Sequence, residues 1–485
     1  MTTEQIILIL IVAIPILCSP LIPLFGAFST KIRNVFALLL AIVTFSLGLS
    51  LAPSVFNGNI IEFAYNLPFG FNFILKADAF ALFCALVSSF VSAIIVFYSF
   101  EYIKSYKNQN EYYFIVLLFL GSMMGIIFSA NLIILYMFWE MTALASWRLI
   151  GFFRKDDYVR RANKAFMITA GGAFLMLAGF MLIFDQARSF DFSVIQAIMP
   201  KSGASNIAVI LILCGIFAKS ATFPLHTWLA DAGVAPSPVT ALLHAAVLVK
   251  IGVYVYARLF TSIIIPSEEM RAVIFIIIAL SALISGGAAL IEKDIKRIIA
   301  FSTVSQLAFI FLGFATGSPL AFAASMLYMF AHSTAKAGLF LSAGIIEHTT
   351  HTKDITLMGG LQKVIPITAV VFLVCAASIV GVPPMGGFFS KFLLITATSA
   401  HGYVTVAAVF IFAATLTLAY MLRAYYKVFL AAPTNPNIEL HNSRFWSPMN
   451  LSISILALAA LLSGLGFGWL TKIAALAADQ MFKVM

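Results

Sequence analysis

Eight ionisable side chains stand inside runs of apolar residues where ordinary packing has no use for them. Glu140 lies within Phe138-Trp139-Glu140-Met141-Thr142, and Lys219 comes just before Ser220-Ala221-Thr222-Phe223-Pro224. His244 and Lys250 share one run, Lys296 opens another, His332 and Lys336 are four apart in a third, and Lys391 follows Gly386-Gly387-Phe388-Phe389-Ser390. An ionisable group deep in a bilayer costs a few kcal/mol or more, so each implies a partner or a wet path. These types in such company point to proton transfer. A desolvated ammonium releases its proton more readily than one in water, and a neighbouring carboxylate restores the charged form. A unit pair 4 Å apart at an effective dielectric near 20 interacts by roughly 4 kcal/mol, enough for Glu140 to gate Lys219. An imidazole takes a proton on one nitrogen and gives one from the other. The spacing of His332 and Lys336 puts both on one helix face, fit for direct or water-bridged transfer.

Blander readings apply to some of them. Lys296 opens its run and can snorkel to the headgroups. Lys219, Lys250 and Lys336 have apolar residues on both sides, which argues against that. His244 also fits a hydrogen-bonded packing role, and His348 and His351 read as a solvated loop. Arg148 stands two turns after Glu140; pairing with it and marking a membrane boundary both remain open. Cys18, Cys84, Cys214 and Cys375 lie in apolar runs without a CxxC pair and read as small buried hydrophobes.

The elements that must carry these groups are membrane spans. Of the 485 residues, 62% are hydrophobic and 10% charged, which excludes a water-soluble fold. A helix needs roughly 20 apolar residues to cross a bilayer. Runs of that kind recur near 5-28, 33-53, 78-100, 113-129, 131-153, 162-186, 206-223, 237-262, 271-291, 296-317, 319-347, 365-399, 403-430 and 449-471. The expected fold is an all-α polytopic membrane protein of about fourteen transmembrane helices, one domain over 1-485 with no soluble domain. The first run lacks the basic start and cleavage site of a signal peptide and reads as a retained helix.

Basic residues cluster after odd-numbered spans: Lys31 and Arg33, Lys104 and Lys107, Arg154 to Lys164, then Lys293, Lys353, Lys363 and Arg444. Lys76, Arg188, Lys201 and Arg271 are the main ones after even-numbered spans. That asymmetry places the basic loops in the cytoplasm and both termini on the outer side. It also accounts for the net charge of +10 without nucleic-acid binding. Pro224 breaks the seventh span and Pro383-Pro384 the twelfth. Broken backbone at membrane depth must be buried or line a wet cavity. Two breaks about five spans apart fit inverted repeats, spans four to eight (113-262) with nine to thirteen (271-430).

Trp139-Glu140 with Leu149-Ile150-Gly151-Phe152-Phe153, Phe223-Pro224-Leu225-His226-Thr227-Trp228-Leu229 and Ala235-Pro236-Ser237-Pro238 through His244 carry a resemblance, as do Lys293-Asp294-Ile295-Lys296-Arg297, Ala331-His332 through Lys336-Ala337, and Gly386-Gly387-Phe388-Phe389-Ser390-Lys391. Over residues 75 to 400 the chain resembles the antiporter-like subunits of respiratory complex I, of multisubunit Na⁺/H⁺ antiporters and of energy-converting membrane-bound hydrogenases. The resemblance implies fourteen helices with two inverted five-helix repeats, each with a broken helix. It also implies roles: Glu140 with Lys219 as the input pair, Lys250 with His244 as the connection, His332 with Lys336 as the central relay, Lys391 as the exit site. The chain resembles the shorter members, without a long lateral helix.

Two positions depart from that pattern: Ala170-Gly171-Gly172-Ala173 stands where many relatives carry a carboxylate, and Arg148 where an apolar or aromatic residue is commoner. The implied function is a proton-translocating membrane subunit in an inner membrane, with other membrane subunits and a peripheral electron-transfer arm as partners and Na⁺ as a second candidate ion. A subunit of an inorganic-carbon accumulation complex and a non-transporting scaffold are the alternatives. No motif for flavin, iron-sulfur cluster, quinone or nucleotide is present, so no redox centre or cofactor and no metal is expected in this chain.

Overall fold

The computed structural model describes residues 1–68, 71–432 and 446–482. Arg444 lies outside them. Helices α1 (Thr3–Cys18) and α2 (Leu21–Phe28) are followed by α3 (Thr30–Val55), the strands β1 (Ile61–Tyr65) and β2 (Phe73–Ala77), and α4 (Ala79–Tyr102). Then come α5 (Gln109–Phe128), α6 (Leu132–Ile150), α7 (Asp156–Ala187), α8 (Phe192–Ser202) and α9 (Asn206–Lys219). The short helices α10 (Thr227–Asp231) and α11 (Ser237–Ala241) lead to α12 (Leu248–Ser262), α13 (Glu268–Ile291), α14 (Ile295–Thr316) and α15 (Pro319–Thr350). The chain continues through α16 (Pro366–Val380), α17 (Gly386–Ala400), α18 (Val404–Tyr425), α19 (Pro448–Leu465) and α20 (Phe467–Phe482).

Among the described residues, ten helices are long and apolar enough to cross a membrane, or eleven if the bent α1–α2 pair counts as one. Their outer faces carry Leu39, Met167, Phe174, Ile276, Phe412 and Leu422, side chains suited to lipid and not to water. The middle is the opposite: all of α12 is buried, and so is nearly all of α14. Asp78, Asn131 and Asp294 cap the starts of α4, α6 and α14 by accepting backbone N–H bonds, which satisfies donors that a helix leaves free at its first turn.

The fold is all-α as expected, and one short antiparallel hairpin, β1 and β2 with Glu62 opposite Lys76, is added to it. Several sequence expectations need correction. The first span bends by 51° between α1 and α2, beside Pro20, whose missing N–H breaks the ladder. The eighth span is interrupted by a π-helical turn over Leu242–Ala246, which the apolar pattern hides. The fourteenth expected span is two helices, α19 and α20. His348 is not in a loop; it lies in the last turn of α15, exposed, with its ring 4.5 Å from that of Tyr102. Arg33 belongs to α3 and is buried, its guanidinium donating to Asn34, Gln109 and Asn110.

The two expected breaks are present. Lys219 ends α9, and the chain crosses residues 220–226 before α10, with Ala221 at φ 51° and a cis Phe223-Pro224 bond. The turn between α16 and α17 contains Gly381 at φ 92° and a cis Pro383-Pro384 bond. Residues flanking the helix starts also pair across the chain: Leu132 N–H donates to Phe190 O and Phe192 N–H to Ala130 O, while Ile295 N–H donates to Lys353 O and Ile355 N–H to Lys293 O.

Candidate functional site

Four buried lysines sit in the interior, and each ends on a backbone carbonyl. Lys219 donates to Trp139 O at 3.1 Å and lies 5.2 Å from the Trp139 ring centre. Lys250 donates to Ala245 O, and its Nζ shares a 3.1 Å hydrogen bond with His332 Nδ1. Lys336 donates to Ile299 O at 3.1 Å and to Ser302 Oγ. Lys391 donates to Ile379 O at 2.7 Å, with its ammonium 4.5 Å from the centre of the Phe309 ring. None of the four makes an ion pair with a carboxylate among the described residues.

The breaks explain two of these contacts. A helix end or bulge leaves carbonyls without an intrahelical donor. At the π-turn, Val247 N–H reaches back to Leu242 O, and Lys250 takes the carbonyl of Ala245. At the end of α16, Lys391 takes that of Ile379, one residue from the helix terminus. A carbonyl stabilises the ammonium by a charge-assisted hydrogen bond but brings no opposing charge. The lysine is held in place without a counter-charge.

Glu140 is half-buried on α6 next to Trp139, with Oε1 lacking a hydrogen-bond partner among the described residues. Its carboxylate and Lys219 act on each other electrostatically without direct contact. His332 is wholly buried and lies within the field of Lys250, Lys336, Lys391 and His244. His244 packs its ring 4.4 Å from Phe340, and neither ring nitrogen has a partner among the described residues; buried polar atoms of this kind are ordinarily bridged by water.

The pairing within the cluster differs from the expectation. His332 bonds to Lys250 on α12 and not to Lys336 on its own helix, and His244 does not bond to Lys250. Side chains one turn apart project in parallel, so Lys336 reaches α14 while His332 reaches α12. Lys296 is different again: it is 1% exposed and forms a 2.6 Å ion pair with Glu347, so it does not snorkel. Arg148 pairs with Glu111 and not with Glu140.

Sequence reading missed several partners. Glu347 was hidden because it lies at the end of an apolar run, beside histidines read as loop. Asp78 and Arg258 form a buried bidentate pair at 2.5 and 2.9 Å, and they lie 180 residues apart. Asp231 bridges Lys164 at 2.6 Å and Arg297 at 2.9 Å. Tyr328 donates to Gln306 Oε1 at 2.6 Å, and Gln306 in turn donates to Thr417 and Tyr420. Within the Ala170-Gly171-Gly172-Ala173 departure, a Cβ on Gly172 would lie 2.5 Å from that of Ala218, so α7 and α9 touch there.

All eight singled-out side chains fall in residues 129–417, the stretch matched by the family described as NADH:quinone oxidoreductase/Mrp antiporter, TM. The chain belongs to this family. It is 34% identical to the Na⁺/H⁺ antiporter A subunit of Alkalihalophilus pseudofirmus over 93% of its own length and 60% of the relative's. With the Na⁺/H⁺ antiporter A1 subunit of Staphylococcus aureus the identity is 35%, over 78% and 50%. The chain thus spans between half and three-fifths of the length of these curated relatives. Among solved structures, a chain of the Mrp complex from Dietzia sp. DQ12-45-1b matches with a TM-score of 0.91 at 24% identity, over 99% of this chain and 98% of that one. A chain of the membrane-bound sulfane sulfur reductase, an archaeal respiratory membrane complex, matches with a TM-score of 0.90 at 21% identity, again over 99% and 98%. At those identities the likeness is one of fold.

Proposed function

We propose that this chain is a proton-translocating membrane subunit of a multisubunit complex of the cation/proton antiporter type. The observation that carries the reading is the set of four buried lysines that each rest on a backbone carbonyl without an ion-pair partner among the described residues, with His332 joining Lys250 across two helices. Glu140 and Lys219 form the input, Lys250, His332 and Lys336 the centre, and Lys391 the far end, with His244 linked through water. Lys296, neutralised by Glu347, borders the path instead of relaying within it. The names of the sequence relatives favour Na⁺/H⁺ exchange as the coupled process, with other membrane subunits as partners, over a redox arm or carbon uptake.

The same reading takes α9, α15 and the broken α16–α17 as crossing, which with the eleven spans above makes fourteen. Two inverted repeats fit the paired hydrogen bonds near the helix starts. Each residue of the second set, Ile295, Lys353, Ile355 and Lys293, stands 163 positions after its counterpart Leu132, Phe190, Phe192 or Ala130. That shared offset supports 113-262 and 271-430 as the repeats. The basic loops then face the cytoplasm and both termini the outer side of an inner membrane.

The test is proton movement in proteoliposomes holding the whole complex, with an internal pH dye. Lys219→Ala and Lys391→Met should each lower the rate at least about tenfold, equal to about 1.4 kcal/mol on the barrier. Parental rates in both, with the complex assembled, would remove the relay.

A further inference from the structure

Two buried ion pairs bracket the lysine layer. Lys296–Glu347 lies at the start of α14. Asp78–Arg258 lies near its other end, where Phe80 packs against Phe314 at 5.9 Å and the Arg258 guanidinium stands 5.5 Å from the Phe80 ring. Eighteen residues of helix separate Lys296 from Phe314, about 27 Å.

The second pair is connected to the centre by α12. Lys250, Tyr254 and Arg258 follow one another at intervals of four and so line one face, spanning about 12 Å from the first to the last. Arg258 donates to Tyr254 Oη at 3.2 Å from Nε and 2.9 Å from Nη2, and grips both oxygens of Asp78. The Tyr254 hydroxyl donates to Ile127 O at 2.5 Å. Ile127, Asp78 and Arg258 all line a cavity of about 80 Å³ that also meets Glu62, Lys76 and Gln480, beneath the β1–β2 hairpin. That volume holds a few waters, and its mixed wall sets Glu62, Lys76, Asp78, Arg258 and Gln480 among apolar side chains. Gln480 closes it from α20 by accepting from Ala79 N–H at 2.9 Å.

We propose, resting on the proton-translocation reading, that this line is a second outlet: protons leave Lys250 toward the hairpin face through Tyr254 and Asp78, with Arg258 as the gate. An N–H bond of Lys250 breaks as a water takes the proton; the Tyr254 hydroxyl turns from Ile127 O, accepts that proton and gives up its own, and an O–H bond forms on Asp78 once Arg258 lets one oxygen go. That O–H bond then breaks to a water of the cavity, leaving Lys250 neutral and the Asp78–Arg258 pair restored. Arg258 stays protonated throughout, which makes it a counter-charge and positioning residue and not a carrier.

The experiment uses the assembled complex in proteoliposomes, with rates normalised to complex content. Asp78→Asn keeps the shape and removes the proton acceptor; Asp78→Glu restores it. Tyr254→Phe removes one oxygen and leaves the ion pair. In the Lys391→Met background, where only this outlet remains, it predicts that the residual rate falls a further about tenfold in Asp78→Asn, recovers in Asp78→Glu and is clearly lowered in Tyr254→Phe. A residual rate per complex equal to that of Lys391→Met alone in either the Asp78→Asn or the Tyr254→Phe double variant overturns the outlet. If Asp78→Asn does not assemble, Tyr254→Phe decides alone by the same criterion. Lys219→Ala, which removes the input common to both exits, is run in parallel: transport that survives it counts against the relay itself, while loss there with an unchanged Lys391→Met residual in the Asp78 and Tyr254 variants removes the outlet alone.

Discussion

Lys250 Nζ lies 3.1 Å from His332 Nδ1, so a lysine of α12 and a histidine of α15 share one proton position between two helices that are far apart in sequence. Contacting residues in one hydrogen-bond network couple by about 0.5–3 kcal/mol. A double-mutant cycle with Lys250→Met and His332→Ala should therefore show a coupling in that range, read from thermal unfolding of the purified complex. Additive effects would mean that the contact carries no energy.

Lys296 and Glu347 form an ion pair in which the lysine is almost fully buried and the carboxylate about a quarter exposed. Removing one partner leaves an uncompensated charge. Glu347→Gln is expected to destabilise the protein by about 1–3 kcal/mol, and adding Lys296→Met should recover most of it. Unfolding midpoints of the single and double variants check this.

Gly172 faces Ala218 with no space for a methyl group, whereas the neighbouring Gly171 has open surroundings. Gly172→Ala should cost about 1–3 kcal/mol through overpacking, shifting α9 and the Lys219 that ends it. Gly171→Ala should stay within about 0.5 kcal/mol of the parent. Comparing the two by unfolding and by transport rate separates the packing of this helix pair from general glycine effects.

Glu292 lies in the connection between α13 and α14, outside the spans. Burial pushes its carboxyl up, but a hydrogen bond from Arg297 at 2.8 Å and backbone N–H groups of Lys293 and Asp294 outweigh it and hold it below the ordinary 4.5. A carboxylate depressed in the folded state adds stability that is complete above the unfolded value and is lost as pH falls through the folded one. Acid unfolding should therefore steepen below about pH 4.5 in the parent and flatten in Glu292→Gln.

Much of this arrangement is legible in the sequence, because lipid makes charge conspicuous. Lysines inside apolar runs announce themselves, and the prolines mark both breaks. What the sequence hides is the partner. Asp78 and Arg258 each look like residues at the edge of a span, and only folding brings them together over 180 positions. Spacing of four placed His332 with Lys336, yet tertiary packing turned each toward a different helix. The π-turn before Lys250 left no trace either, since Leu242, Leu243, His244 and Ala245 fit an ordinary helix equally well.

The most direct measurement is the proton flux of the reconstituted complex after Lys336→Ala, which removes the ammonium from the middle of the layer and touches neither end. The lysine relay predicts that acidification of the vesicle lumen falls at least about tenfold while the complex stays assembled. Acidification at the parental rate in that variant would contradict it.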